Sequence, residues 1–310
     1  MRNRQIASIL TAAQSIPWAI LPAKLEEIRA ILFAHAMTDA TADDIKRDLQ
    51  GKIVGPNDVP RAQQFGSIAV VPVFGTIGHR MNMFSDFSGG TSTEQLKAQI
   101  QKAVSDESIS ALVLDVNSPG GTVGGLPEVH EVIMSARAVK PVVASVNAMS
   151  ASAAYWITSA ASEICITPSG EAGSIGVFYL HEDVSGMLEQ MGVKVSIIKA
   201  GKFKAEGNEW QPLTEEAIAE MQGKVDHYYG MFVSNVAAGR GVSVADVRSK
   251  FGEGRMLTAT QAKSVGMVDR IETMDATLNR LSKKGGVGRV KSAGASALQM
   301  GMDLARSRAR

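Results

Sequence analysis

From Phe65 onward, apolar runs of strand length alternate with stretches of helix length, and no other feature constrains the chain as strongly. Residues 67–74 (SIAVVPVF), 111–116 (ALVLDV) and 141–146 (PVVASV) are apolar at most successive positions, interrupted by Ser67, Asp115 and Ser145, the pattern of strands buried on both faces. Between them, residues 93–104 place Leu96, Ile100 and Val104 four apart, and residues 127–138 have a similar helical character. Further strands are expected at 163–167 and 194–199, a short helix from near Ser152, a long helix over 214–238, and short helices over 244–251 and 260–265. Strands alternating with helices predict an α/β fold with a mostly parallel sheet flanked by helices.

The flanks differ from this middle region, giving an expected division into 1–64, 65–277 and 278–310. The first is a helical N-terminal extension. In it, residues 23–35 set Leu25, Ile28, Ile31 and Leu32 on one helix face and Glu26, Glu27 and Arg29 on the other. Thr41-Ala42-Asp43-Asp44 suits a second helix start, and Gly55-Pro56-Asn57-Asp58 a loop. The last region is basic: from Arg280 to Arg310 it carries eight Lys or Arg against the single acid Asp303. A flexible tail is expected there, with a scaffold or nucleic-acid contact as the sharper alternative and residues 294–308 able to form a helix on a partner.

Composition excludes several classes. The 310 residues carry a net charge of +1, which selects neither an acidic nor a basic partner. Met1-Arg2-Asn3-Arg4 resembles the start of a signal peptide, but Gln14 and Pro17 interrupt the apolar stretch that should follow. With no apolar run of about 18 residues, a chain without a membrane anchor that stays in the cytoplasm is expected. The single cysteine, Cys165, lies in the apolar run Ile164-Cys165-Ile166 and reads as a small core residue. No metal or cofactor is expected.

Ligands of open α/β sheets bind beyond the carboxyl ends of the strands. Two such ends carry unusual residues. Asn117-Ser118-Pro119-Gly120-Gly121-Thr122 could aim backbone N–H groups at an anion, or serve as an ordinary strand-to-helix turn. Asn147-Ala148-Met149-Ser150-Ala151-Ser152-Ala153-Ala154-Tyr155 offers a serine among small residues at the start of a helix. These residues alone favour an N-cap role for Ser150 or Ser152 over a nucleophile. A nucleophilic serine needs a base. His181, near Asp183, is the only one of the five histidines suitably placed. Lys202 and Lys204, in Gly201-Lys202-Phe203-Lys204 after an expected strand, are the other candidates, since burial disfavours a charged amine.

The order of these segments resembles the signal peptide peptidase A family of serine peptidases, which shares its fold superfamily with Clp protease and the crotonases. Asn117-Ser118-Pro119-Gly120-Gly121 looks like that family's oxyanion turn. Met149-Ser150-Ala151-Ser152-Ala153-Ala154-Tyr155 looks like its nucleophile segment, with alanines where the family has two glycines. Ala172-Gly173-Ser174-Ile175-Gly176-Val177 and Gly201-Lys202-Phe203-Lys204 resemble two further signatures, and the likeness runs over about residues 66–275. The resemblance implies a Clp protease/crotonase-like fold and a Ser–Lys pair: Ser152 as nucleophile, Lys204 as general base, Ser174 orienting the lysine, and the N–H groups of Gly121 and Ala153 as the oxyanion hole. Lys202 and His181 are then incidental, and the alanines imply a narrower site.

The lead-in containing Pro17-Trp18-Ala19-Ile20-Leu21-Pro22 resembles that of the soluble head-maturation proteases of tailed phages. That likeness implies a homo-oligomer acting on peptide or protein substrates such as scaffold and capsid proteins inside a procapsid. The alternatives are a cytoplasmic peptidase of signal-peptide fragments, a non-catalytic phage head protein, and a crotonase-like acyl-CoA enzyme.

Overall fold

The computed structural model describes residues 16–36, 62–79 and 90–284. The expected helix start at Thr41, the loop at Gly55 and the expected helix at 294–308 lie outside these residues. Strand β1 (Trp18–Ile20) leads into helix α1 (Pro22–Ala36), with Pro22 at the first helical position, where its missing N–H costs nothing. Next come β2 (Gln63–Phe65), β3 (Ile68–Phe74), β4 (Thr76–Gly78) and β5 (Gly90–Ser92). Helix α2 (Thr93–Ser105) is capped by Ser92, whose hydroxyl accepts the N–H of Gln95. β6 (Ala111–Ser118), β7 (Gly120–Thr122), α3 (Leu126–Val139), β8 (Val142–Ala151), α4 (Ala153–Thr158), β9 (Glu163–Ile166) and β10 (Glu171–Gly173) follow. The chain continues through α5 (Ser185–Gln190), α6 (Glu215–Arg240), α7 (Val244–Lys250), β11 (Met256–Thr258), α8 (Ala259–Ser264), β12 (Arg270–Ile271) and α9 (Met274–Lys284).

The larger sheet has the order β11-β10-β8-β6-β3-β2, with β9 also on β8 and β12 beside β9. It is parallel except at the β2–β3 and β10–β11 pairs, as the strand–helix alternation predicts. Successive residues of β6 serve two cores. Leu112, Leu114 and Val116 pack with the helices that include Leu96, Ile133, Trp156 and Phe232, while Val113 joins Ile68, Val70, Val143 and Cys165 on the opposite face. Leu278 and Leu281 of α9 close that second core, so the helix runs across the division expected at 278. No helix among the described residues is long and apolar enough to cross a membrane.

One expectation fails. Residues 194–199 form no strand and are largely exposed. Their apolar residues suit a pleat, but a strand exists only with a ladder partner, and none of the described strands pairs with this segment.

Asp115 stands within β6 with one carboxylate oxygen buried and lacking a hydrogen-bond partner. Burial pushes its carboxyl up from 3.8 to about 6. The fold therefore favours the protonated form. The stability this group contributes is full below about pH 4 and is lost as pH rises through 6. Asp115→Asn should accordingly raise the unfolding free energy at pH 7.5 by up to about 3 kcal/mol and leave it nearly unchanged at pH 4. Urea unfolding at the two pH values measures the difference.

Candidate active site

β8 is long because it serves two neighbours in turn. Val143–Val146 pair with β9, and Met149–Ala151 pair with β10. Between them Ala148 has φ 85, a conformation rare for a residue with a Cβ, and the pairing with β6 slips at the same level. The strand thus leaves the regular sheet just before its end and delivers Ser152 where the sheet divides. Ser152 has φ 53 and ψ −116. That region is sparsely populated for non-glycine residues, and strain of this kind collects at functional sites.

Neighbours over-determine this conformation. The Ser152 N–H donates to the Gly173 carbonyl at 2.7 Å, and the Ser174 N–H donates to the Arg255 carbonyl at 2.8 Å. Gly173 could not be another residue, since a Cβ there would fall 2.4 Å from the Arg255 oxygen. The two serines that the sequence offered as caps now separate. Ser150 is buried and shares a 3.0 Å hydrogen bond with Thr158. Ser152 occupies the N-cap position of α4 but caps nothing; its hydroxyl donates only a long 3.5 Å bond to the Gly176 carbonyl. A hydroxyl this weakly engaged, at the head of a helix whose first N–H groups lack intrahelical acceptors, is free for other chemistry.

The glycine turn lies directly alongside. Ser118, fully buried, donates to the Gly75 carbonyl at 2.6 Å and accepts the Gly120 N–H at 3.2 Å, pinning the turn from below. A Cβ on Gly120 would meet the Ala151 oxygen at 3.0 Å, so the turn abuts the residue before Ser152. On Gly121 a Cβ would fall 1.9 Å from the Ile77 oxygen. Ala153 begins α4 and is buried. Gly120, Gly121, Ser152, Ala153 and Ser174 thus gather at one place.

The lysine does not join them. Lys204 is exposed on the turn over residues 201–207, and no hydrogen bond links its side chain to Ser152 or Ser174. The Ser174 hydroxyl makes no hydrogen bond to a described residue, although Ser174 is only 6% exposed and holds a left-handed φ of 53. Lys202 is engaged at the surface, 2.9 Å from Glu216. His181 approaches the Asn208 carbonyl at 3.1 Å and makes no contact with Ser152. Cys165 is buried, and its thiol donates to Glu272 at 3.1 Å; burial and that carboxylate push it up to about 12, which suits a core residue and not a nucleophile.

The sequence profile described as peptidase family S49 matches residues 135–288. slr0021, a protease candidate of Synechocystis sp., is 34% identical over 63% of this chain and 69% of its own length. The chain belongs to peptidase family S49.

Two other similar proteins come from phages. Capsid assembly protease C of Escherichia phage lambda is 32% identical over 76% of this chain and 55% of that protein. The head-tail preconnector protein GP5 of Enterobacteria phage P21 is 37% identical over 57% of this chain and 35% of its length. The chain therefore spans about half and a third of these two relatives. The S49 profile takes in Ser152, Ser174 and Lys204 but begins after the glycine turn, so Gly120 and Gly121 join the S49 segment only through the fold.

Sequence reasoning missed three parts of this site in the S49 chain. Ser118 was legible as part of the Asn-Ser-Pro-Gly-Gly turn, but its support of Gly120 was not. The carbonyls of Gly173 and Gly176, which hold Ser152, left no sequence signal, because any residue supplies a carbonyl. Phe178, which pairs with Trp18, had none either.

Proposed function

We propose that this chain is a serine endopeptidase in which Ser152 is the nucleophile and Lys204 the general base, and that it processes scaffold and capsid proteins during phage head assembly. The observation carrying the proposal is the strained, uncapped Ser152 at the head of α4, beside the Gly120–Gly121 turn, in a chain of family S49. The names of the lambda and P21 relatives support the substrate class.

The chemistry runs as an acyl transfer. The Ser152 hydroxyl oxygen attacks the scissile carbonyl carbon while its proton passes to the neutral amine of Lys204. The negative oxygen of the tetrahedral intermediate is held by the N–H groups of Gly121 and Ala153, worth roughly 3 kcal/mol per donor in comparable sites. The C–N bond then breaks, the departing amine takes the proton from Lys204, and water hydrolyses the Ser152 ester by the same steps. Ser174 orients the lysine amine.

A lysine serves as a base when water is stripped from its amine, and Lys204 is exposed in the single chain. We assign the missing cover to a second copy of the chain. Of the ten most exposed large apolar residues among those described, eight fall between Met187 and Ile218, including Met191, Ile198, Phe203 and Trp210, and Lys204 sits among them. Apolar surface concentrated in this way marks a contact. Residues 194–199, with a strand's pattern and no ladder, lie in the same stretch.

Mixing inactive variants tests this arrangement. Ser152→Ala and Lys204→Ala are each expected to leave a co-expressed capsid or scaffold protein uncut. Assembled together in equal amounts, they should recover about a quarter of wild-type activity if each site draws its serine and its lysine from neighbouring copies in a symmetric ring. No recovery would place both groups in one subunit. Specific processing by either variant alone would overturn the Ser–Lys mechanism.

A further inference from the structure

We propose that Pro17–Leu21 lies in the channel that receives the polypeptide substrate, as an intramolecular strand that an extended, small or apolar peptide must displace. This rests on the reading of Ser152 as nucleophile. Main-chain bonds hold β1 on both edges. On one side it runs antiparallel to β7, with Trp18 opposite Thr122, Ala19 opposite Gly121 and Ile20 opposite Gly120. On the other, the Trp18 N–H donates to the Phe178 carbonyl at 2.9 Å and the Phe178 N–H returns to Trp18 at 3.0 Å. Pro17 accepts the Val123 N–H at 3.4 Å, and the Leu21 N–H donates to Pro119 at 2.9 Å. Recognition of an extended backbone through ladder bonds is how sheets capture peptides of varied sequence.

The register puts this strand across the site. A Cβ on Gly120 would lie 2.3 Å from the Ala19 oxygen and 3.0 Å from the oxygen of Ala151, the residue before Ser152, so occupant and nucleophile strand meet on one glycine. β1 is the outermost strand of the sheet β1-β7-β4-β5, and its departure would leave β7 as an open edge beside Ser152. The channel also continues past the occupant: an open cleft of ≈ 470 Å³ runs on from Pro17 along Thr122 and Val123 to Tyr228 and Met231. Trp18, Ala19 and Ile20 are at most 2% exposed, which defines the acceptable ligand as apolar–small–apolar. The strand is tethered from α1, where the Arg29 guanidinium contacts the Glu182 carboxylate, four residues beyond Phe178. A tethered occupant competes at an effective concentration on the order of millimolar, so a short free peptide binds weakly until the tether is loosened.

The test uses the full chain carrying Ser152→Ala, so that cleavage does not interfere, and a fluorescein-labelled peptide of residues 14–24. Anisotropy should report binding at least about tenfold tighter when Arg29→Glu or Trp18→Asp is added, with no gain for the same peptide carrying aspartate in place of its tryptophan. Variants that keep a cooperative melt but bind no more tightly overturn the proposal. Without any substitution in the lead-in, excess peptide should speed hydrogen exchange at the amides of Trp18–Ile20; unchanged exchange at saturation also overturns it. If the peptide binds as expected but chains retaining Ser152 never cut it, the channel stands and the peptidase reading falls. If Arg29→Glu changes neither peptide affinity nor the processing of protein substrates, the peptidase reading stands and the channel falls.

Discussion

Replacing Ser152 by alanine is expected to lower cleavage of a protein substrate by on the order of 10⁴- to 10⁶-fold, the loss typical when a serine peptidase loses its nucleophile. The melting temperature should barely move, because the hydroxyl contributes a single long bond to the Gly176 carbonyl. Ser152→Gly separates the two roles of the position. Glycine adopts φ 53, ψ −116 without a Cβ clash, so this variant should be equally inactive and more stable by about 1 kcal/mol. A gain in stability with total loss of activity identifies strain held in place for catalysis; a loss of stability in Ser152→Gly would show that the conformation carries none. Calorimetry and a gel-based cleavage assay on the three proteins decide it.

The second large effect is expected at Gly121. A methyl group there would lie 1.9 Å from the Ile77 oxygen, 2.6 Å from its carbon and 2.6 Å from its nitrogen. These are main-chain atoms of β4, which pairs with β7 at this very position, so no side chain can swing aside. Gly121→Ala must move one strand of the small sheet, costing about 3 kcal/mol. The same movement shifts the N–H proposed for the oxyanion, and cleavage should fall by about 10²- to 10³-fold, as when one oxyanion donor is removed elsewhere. Gly124→Ala is the control three residues away. Its Cβ would meet only the His79 Cβ at an ordinary 3.6 Å, and stability should not change appreciably. Equal tolerance at both positions would remove Gly121 from the site.

Much of the fold was legible from local pattern. Residues 111–116 and 141–146 are apolar on both faces apart from Asp115 and Ser145, and both form central parallel strands. Thr214, followed by Glu215 and Glu216, marks the start of α6, where its hydroxyl accepts the Ala217 N–H; Gly241 ends the helix with φ 67. Residues 194–199 carried a comparable apolar pattern and formed no strand, because a ladder needs a partner that local sequence does not supply.

The site divides along the same line. The sequence by itself determined which residues carry reactive groups and that Ser152 follows a strand and precedes a helix, since both depend on neighbours close along the chain. It left Ser150 and Ser152 equivalent as caps. Only the tertiary structure separated them, by burying Ser150 against Thr158 and by turning the Ser152 backbone with the Gly173 carbonyl from a distant segment. It also set Gly120 against Ala151, laid Trp18–Ile20 along β7, and left Lys204 exposed on its turn. The Ser152–Gly173, Gly120–Ala151 and β1–β7 contacts share one physical reason. Each joins backbone groups far apart in sequence, and a carbonyl or an N–H carries no side-chain identity by which a sequence could announce it.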